Sequence, residues 1–358
     1  MLKLKDNCKW DLVCPTSMGV RITPAGRLPV HTSRLFEMQA TSAESNVLNV
    51  SSSLGLNTKV LTAFVKDSPI ASFIKAELRF RNISYEGPEV SQGGAWGYRH
   101  QFNIADSGFG SRGPRVWNDR SGEVGRTLKA ADFDLDRLFV TEGVRILHLS
   151  GLVCALSHET STFCLEVAKA AKASGTLISF DLNYRASFWK GREEELSSIF
   201  SQIAGISDIL IGNEEDFQLA LGLKGPEAGG KALGQKTAQF KDMIGEVKKR
   251  YPNASVYATT LREVVSANEH NWGALLLSGD SWYEESPRPI QVMDRIGGGD
   301  GFVGGLLYAI LAGKEEEDWI KMGWATGVLA TTVLTDYCTP ADEEQIWSVY
   351  QGNARVKR

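Results

Sequence analysis

The sequence predicts an α/β fold in three layers, with a mainly parallel central sheet and a smaller β-sheet beside it. Three observations predict it. From residue 126 onward, short apolar runs alternate with helical patterns in a regular βα rhythm. Between 83 and 125 that rhythm stops, and short alternating pieces with many glycines and with aromatics at Trp96, Tyr98, Phe102, Phe109 and Trp117 read as an exposed antiparallel sheet with turns. Towards the C-terminal end, Asp294-Arg295-Ile296-Gly297-Gly298-Gly299-Asp300-Gly301-Phe302 leads into an apolar run that ends near Leu311 and reads as a buried helix.

That glycine run carries the most chemistry. Three glycines let the backbone turn sharply and aim several N–H groups at one point, and a helix N-terminus there adds its dipole, so an anion is favoured. Asp300 stands at the mouth of this anion cup. A carboxylate beside a bound phosphate suits a base that takes the proton of an attacking hydroxyl. Gly299-x-Gly301-x-x-Gly304 also spells a dinucleotide fingerprint, which requires an acidic residue about 20 positions on at a strand end. Here Glu315, Glu316 and Glu317 open another helical pattern at that distance, so a dehydrogenase reading is poor. A plain glycine turn before a buried helix remains the bland alternative.

With 358 residues, 42% hydrophobic and 23% charged, the chain suits one large domain or one domain with a lid. A net charge of −4 argues against a nucleic-acid or acidic-membrane surface. Cys8, Cys14, Cys154, Cys164 and Cys338 are odd in number and lack C-x-x-C spacing, which reads as free thiols in a reducing compartment. Neither a membrane span nor a signal-peptide apolar region is apparent, so a cytoplasmic location is expected.

In chain order, residues 10–24 read as a first strand that returns at 20–22. A helix is expected over 43–54, with Val47, Val50 and Leu54 on one face and Gly55 as its stop. A strand at 58–65 and a helix at 69–82 follow. Residues 145–150 form a buried strand in which His148 is most simply a core histidine. The helix over 158–174 places Cys164, Val167, Ala168 and Ala171 on one face and closes at Gly175. The next strand, 176–181, ends in Asp181-Leu182-Asn183-Tyr184-Arg185, polar residues where open α/β sheets place ligand contacts. A helix-capping Asp-Asn pair with a solvated Arg gives the same pattern. Strand 208–212 runs into Asn213-Glu214-Glu215-Asp216, which also reads as an acidic helix start. The glycine-rich stretch 225–232 is one residue short of a P-loop, lacks its Ser/Thr and follows a helical pattern, so it reads as a surface loop. Strand 255–261 leads into Thr260-Leu261-Arg262; 273–277 and 282–284 form a hairpin over Ser278-Gly279-Asp280-Ser281; and 319–336 makes a last long helix.

The run from Asp294 to Phe302 resembles the C-terminal signature of the ribokinase-like (PfkB-type) sugar kinases, in the form carried by 2-keto-3-deoxygluconate kinases. The resemblance spans residues 10 to 350, and the Asp-Arg opening is its narrower part. It implies that Gly297, Gly298 and Gly299 form the anion hole, that Asp300 is the catalytic base, and that Thr260, Arg262, Gly297 and Gly299 meet the nucleotide. Asn213 and Asp216 stand where the family's Asn-x-x-Glu orders Mg²⁺, with the shorter Asp216 reaching the metal through water. The helix at 319–336 would flank the adenine. On the sugar side the resemblance implies Asn46 for a hydroxyl, Tyr98 and Arg120 for the substrate, and Arg185 for the carboxylate of an acid sugar, a planar guanidinium suiting it bidentately. Trp96 and Trp117 are better explained as packing.

The sequence also departs from the family. Thr41-Ser42 replace two glycines, Thr16-Ser17 replace a Gly-Glu pair, and Asn118 stands where a tyrosine is expected. The implied division is an α/β domain of 1–19, 39–84 and 126–358, with a β-sheet lid of 20–38 and 85–125 that keeps water from the phosphate. The implied function is ATP-dependent phosphorylation of a keto-deoxy sugar acid, with 2-keto-3-deoxygluconate at O6 as the first choice. ATP and Mg²⁺ are required, a monovalent cation such as K⁺ is a further expectation, and exposed lid sheets imply a homodimer or higher homo-oligomer. Two alternatives stay open: a kinase for ribose, fructose or a related sugar, and a non-catalytic sugar or nucleotide sensor.

Overall fold

The computed structural model describes residues 2–226 and 233–355. Fifteen strands and eleven α-helices follow one another. β1 (Trp10–Pro15), β2 (Gly19–Pro24) and β3 (Phe36–Thr41) precede α1 (Ala43–Ser53); β4 (Thr58–Leu61) and β5 (Phe64–Val65) precede α2 (Pro69–Phe80). Next come β6 (Ile83–Glu86), β7 (Glu89–Val90), β8 (Phe102–Asp106), β9 (Arg115–Asp119) and β10 (Val144–Ser150). α3 (Gly151–Cys154) and α4 (His158–Ala173) lead to β11 (Leu177–Asp181), and α5 (Ala186–Trp189) and α6 (Glu193–Ile206) to β12 (Ile209–Ile211). α7 (Glu214–Leu221) and α8 (Leu233–Arg250) precede β13 (Val256–Val264), β14 (Glu269–Ser278) and β15 (Ser281–Gln291); α9 (Gly298–Leu311), α10 (Glu316–Ala330) and α11 (Glu343–Tyr350) complete the chain.

A nine-stranded sheet runs β15-β14-β13-β12-β11-β10-β1-β4-β6. It is parallel from β13 to β6 and antiparallel at the β13–β14 and β14–β15 pairs. The parallel strands alternate their apolar residues between two cores, as a period of two requires when both faces are covered. Val13, Leu147, Ile178, Phe180 and Leu210 enter one core, whereas Leu12, Ile146, Leu177, Ile209 and Ile211 enter the other. The first core packs under α4, α6 and α8, and the second under α1, α9 and α10. Three layers result.

Local signals set the element ends. Ser42 Oγ accepts from Ser45 N at 3.0 Å and starts α1; Pro69 opens α2 behind Ser68; and Ser157 with Thr160 forms a capping box on α4. The β14–β15 hairpin closes between Ser278 and Ser281 with Gly279 at φ +55°, a conformation suited to glycine in a two-residue turn. This hairpin is far longer than the sequence pattern suggested, because its polar outer positions hide the continuation.

A second sheet, β3-β2-β8-β9, stands apart from the large one. β2 therefore does not fold back along β1, as the pattern over 10–24 suggested; it leaves the large sheet and pairs with β3 and β8. The β2–β8 pair is parallel, so the small sheet is mixed and not wholly antiparallel. Trp96 is 100% exposed and Trp117 71%, so neither packs inside the chain as expected. The last long helix ends at Ala330, earlier than expected, where two β-branched threonines, Thr331 and Thr332, bend back onto Val328 and Leu329 through their hydroxyls. The P-loop-like stretch lies, from residue 227 to 232, outside the described residues.

His148 is a buried core residue, as expected: its Nδ1 meets Ser179 Oγ at 3.0 Å, and burial lowers its pKa to about 3. All five cysteines are free. No described helix is long and apolar enough to cross a membrane.

Candidate active site

The chain builds β1, β4 and β6 outward in one direction and β10 to β13 in the other, so the order reverses between β1 and β10. Carboxyl ends of strands beside such a reversal are where open α/β sheets leave a crevice. A cleft of about 990 Å³ lies there, lined by Leu152 of α3, by the ends of β11, β12 and β13, by the N-terminus of α9 and by the inner face of the small sheet.

α9 forms one wall. Gly297 is its N-cap at φ +84°, and a Cβ there would sit 1.9 Å from the Asp336 carbonyl oxygen. Only glycine fits that turn. The N–H groups of the first turn have no intrahelical acceptor, so Gly299 and Asp300, which line the cleft, present donors with a favourable dipole to it. Gly299 is exposed, and a Cβ there would meet nothing within 4 Å, so the backbone is open to a close-approaching group. Gly301 and Gly304, the rest of the apparent dinucleotide fingerprint, lie inside α9. A Cβ on Gly304 would strike Val50 Cγ2 at 2.7 Å, so the motif's spacing here serves helix packing.

Asp300 is half-buried at the start of α9. Burial, with Asp336 and Glu44 nearby, raises its pKa to about 7 against the lowering effects of Asn46 and Arg185. Asn46 Nδ2 donates to Asp300 Oδ2 at 2.9 Å, which leaves Oδ1 for another donor. A carboxylate near 7 is matched to proton transfer at neutral pH.

Three carboxylates converge here. Burial, Asp216 and Asp300 push Asp181 well up, and burial raises Asp216 to about 6. Asp181 thus feels both neighbouring carboxylates, whereas Asp216 and Asp300 are raised first by burial. Asn213 and Asp216 also cap α7: Asp216 N donates to Asn213 Oδ1, and the Asp216 oxygens accept from Asn213 N and Tyr184 N, each at 2.9 Å. Among the described residues no cluster of three His, Cys, Asp or Glu side chains is posed to grip an ion directly.

Cations balance the carboxylates. Arg185, Arg262 and Arg295 line the cleft. Burial and then Arg295 depress Arg262 to about 10, the signature of guanidinium groups crowded together. Arg185 is exposed and donates only to its neighbour's carbonyl, Tyr184 O, at 2.7 Å. Arg120 Nη1 binds Glu123 Oε1 at 2.7 Å, and Ser17 Oγ donates to the same oxygen at 2.5 Å.

Asn46, Arg120, Arg185, Asn213, Asp216, Thr260, Arg262, Gly297, Gly299 and Asp300 all reach the cleft from segments far apart in sequence. Gly298 is buried behind it, and Tyr98 is not among the lining residues; it stands 40% exposed before β8. Sequence reasoning missed Arg21, Gln101, Asn103 and Asp336, which also line the cleft. Gln101 Oε1, Asn103 Oδ1, Asn46 Oδ1 and Asp336 Oδ1 are buried there without a protein partner. Each such group costs about 1–3 kcal/mol until a ligand satisfies it.

An anion cup, a neutral-range base and a polar floor in one crevice define a phosphoryl-transfer site for a hydroxyl-bearing substrate. Residues 127–341 match the pfkB family carbohydrate kinase model, and the chain belongs to that family of ribokinase-like fold. It is 26% identical to the 2-dehydro-3-deoxygalactonokinase of Haloferax volcanii over 352 residues, 97% of this chain and 99% of that protein. It is 27% identical to the 2-dehydro-3-deoxygluconokinase of Bacillus subtilis over 306 residues, 84% of this chain and 83% of that one. The crystal structure of the Thermotoga maritima 2-dehydro-3-deoxygluconokinase superposes with a TM-score of 0.85 at 25% identity, covering 96% of this chain and 98% of the other.

Proposed function

We propose that this carbohydrate kinase transfers the γ-phosphoryl group of ATP to a hydroxyl of a keto-deoxy sugar acid, with 2-keto-3-deoxygluconate at O6 as the first choice. The observation that carries the reading is Asp300, a base with a pKa about 7 placed at the N-terminus of α9. Relatives named for 2-dehydro-3-deoxy sugar acids support the substrate class. A 2-keto-3-deoxygalactonate kinase is the second reading, because the Haloferax volcanii relative aligns over 97% of the chain.

In this reading the substrate hydroxyl donates its proton to Asp300, whose Oδ2 is steadied by Asn46. The hydroxyl oxygen bonds to the γ-phosphorus as the bond to ADP breaks, and the Gly299 and Asp300 amides at the cleft take up the negative charge of the transferring group. Thr260 and Arg262 meet the nucleotide side, and Mg²⁺ ordered near Asn213 and Asp216 supplies charge neutralisation of the phosphates. Arg185 holds the sugar-acid carboxylate, and Arg120, paired with Glu123, lines the substrate side. The small sheet of β2, β3, β8 and β9 acts as the lid of the α/β domain. Its exposed Phe36, Met38 and Trp117 give it an apolar surface suited to pairing with a second copy.

The test is ADP formation from Mg²⁺-ATP with 2-keto-3-deoxygluconate, 2-keto-3-deoxygalactonate, ribose and fructose. Turnover confined to the keto acids supports the reading. Turnover on a neutral sugar alone would discard Arg185 as the carboxylate ligand, and binding of both ligands without turnover would point to a sensor.

A further inference from the structure

Arg21 is 1% exposed and yet lines the cleft. It lies on β2 and spends Nη2 on Asp294 Oδ2, a carboxylate that is itself fully buried. Asp294 also receives the Ile296 N–H at 3.0 Å and so anchors the loop that carries the anion cup. The remaining donors, Arg21 Nε and Nη1, are buried with no protein acceptor. Leaving donors of a charged group unmatched in a dry site is costly, and such groups are matched when a ligand arrives.

The chemistry of the missing acceptor follows from two features. The charge of Arg21 is already balanced by Asp294, so a second anion gains little Coulomb energy there. With Nη2 turned to Asp294, the two unmatched nitrogens, Nε and Nη1, lie on different edges of the guanidinium and so reach separate acceptor oxygens. Two single donors suit separate neutral oxygens. The neighbour across the sheet completes a hydroxyl's needs: Arg21 is in register with Asn103 on β8, so the two side chains share one face. Asn103 Oδ1 is buried, unpartnered and in the same cleft. A sugar hydroxyl between them accepts from Arg21 and donates to Asn103.

We infer that Arg21 is a substrate-recognition residue that reads a neutral oxygen of the sugar, hydroxyl or keto, while the exposed Arg185 reads its carboxylate. This rests on the sugar-acid reading of the site and deepens it.

Arg21→Lys is the first variant, because a lysine keeps a cation against Asp294 and removes the two spare donors. Asn103→Leu, which leaves the buried ion pair alone, is the second. Each is assayed with 2-keto-3-deoxygluconate and with analogues lacking one hydroxyl or the keto oxygen in turn; sugar-induced and ATP-induced shifts in melting temperature are recorded alongside. We expect Arg21→Lys to lower kcat/KM about 10- to 100-fold, mainly through KM, with the ATP-induced shift retained. One analogue should lose a similar factor in the wild type and lose no more in the variant. Equal losses on every analogue, unchanged kinetics, or loss of the ATP-induced shift together with the sugar-induced one would overturn the assignment. If the wild type acts on a neutral sugar instead, the sugar-acid reading fails, and the same cycle run on that sugar still tests Arg21. If no sugar is turned over, the sugar-induced melting shifts carry the cycle.

Discussion

Asn46 and Asp300 are separated by 254 positions and joined by a 2.9 Å hydrogen bond from amide to carboxylate. It ties the first helix to the anion cup. The amide lowers the pKa of Asp300 against its burial, so removing it should raise the pKa further. Asn46→Ala is expected to move the acidic limb of the pH–rate profile upward while kcat falls roughly 10-fold or more. A limb that stays in place would separate Asn46 from the base.

The pH dependence follows from the base itself. In the proposed mechanism the base is ionised Asp300, whose pKa burial raises to about 7. Activity in kcat/KM should therefore rise through neutral pH and fall tenfold per pH unit on the acidic side. A profile flat down to pH 5 would be incompatible with Asp300 as the base.

Stability should run the other way. The folded-state pKa of Asp300 exceeds the usual 3.8, so its favourable contribution is complete below that value and is lost as pH rises through about 7. Asp300→Asn removes the strained charge. It is expected to stabilise the ligand-free protein by about 1–2 kcal/mol at pH 8, after discounting for partial exposure, with the gain disappearing towards pH 4. Thermal melts of both proteins at the two pH values check the sign.

The glycines of the cup should separate by substitution. Gly297→Ala places a methyl 1.9 Å from the Asp336 carbonyl at φ +84° and should cost ~2–3 kcal/mol of stability. Gly299→Ala meets open space, so it should fold normally and lose activity because the methyl occupies the approach to the amides. Melting temperature and kcat measured together distinguish the two effects.

Arg185 offers a test of substrate class. A charge-assisted pair with a carboxylate is worth about 1.5–3 kcal/mol, so Arg185→Ala should raise KM for a keto-deoxy acid roughly 10- to 100-fold. It should leave KM for ATP little changed. An effect on ATP alone would move Arg185 to the phosphate side.

The fold class was legible because α/β alternation writes both periods plainly, and α9 is apolar all round. The anion cup was legible because its residues are consecutive: a glycine run, a carboxylate and an apolar helix need no tertiary knowledge to be read together. Arg21 and Asp336 were not, since a charged residue within a strand run or after a helix has no local pattern that says what it faces. Arg21 acquires its meaning only when β2 leaves the large sheet and sets it beside Asn103 and above Asp294. Tyr98 shows the converse, a residue proposed from a motif position that lies outside the cleft because the chain before β8 turns outward. The exposed Trp117 shows why aromatic content alone does not separate a packed face from a surface one.

The central claim is that Asp300 takes the proton of a keto-deoxy acid hydroxyl as phosphate is transferred. Single-turnover transfer of labelled γ-phosphate from ATP to 2-keto-3-deoxygluconate, wild type against Asp300→Asn with sugar and ATP binding confirmed in both, tests it most directly. The account predicts rapid formation of the 6-phosphate by the wild type and a loss of about 10²–10⁴-fold in the variant with binding intact. Transfer at a comparable rate by Asp300→Asn, or no transfer by a wild type that binds both ligands, would contradict it.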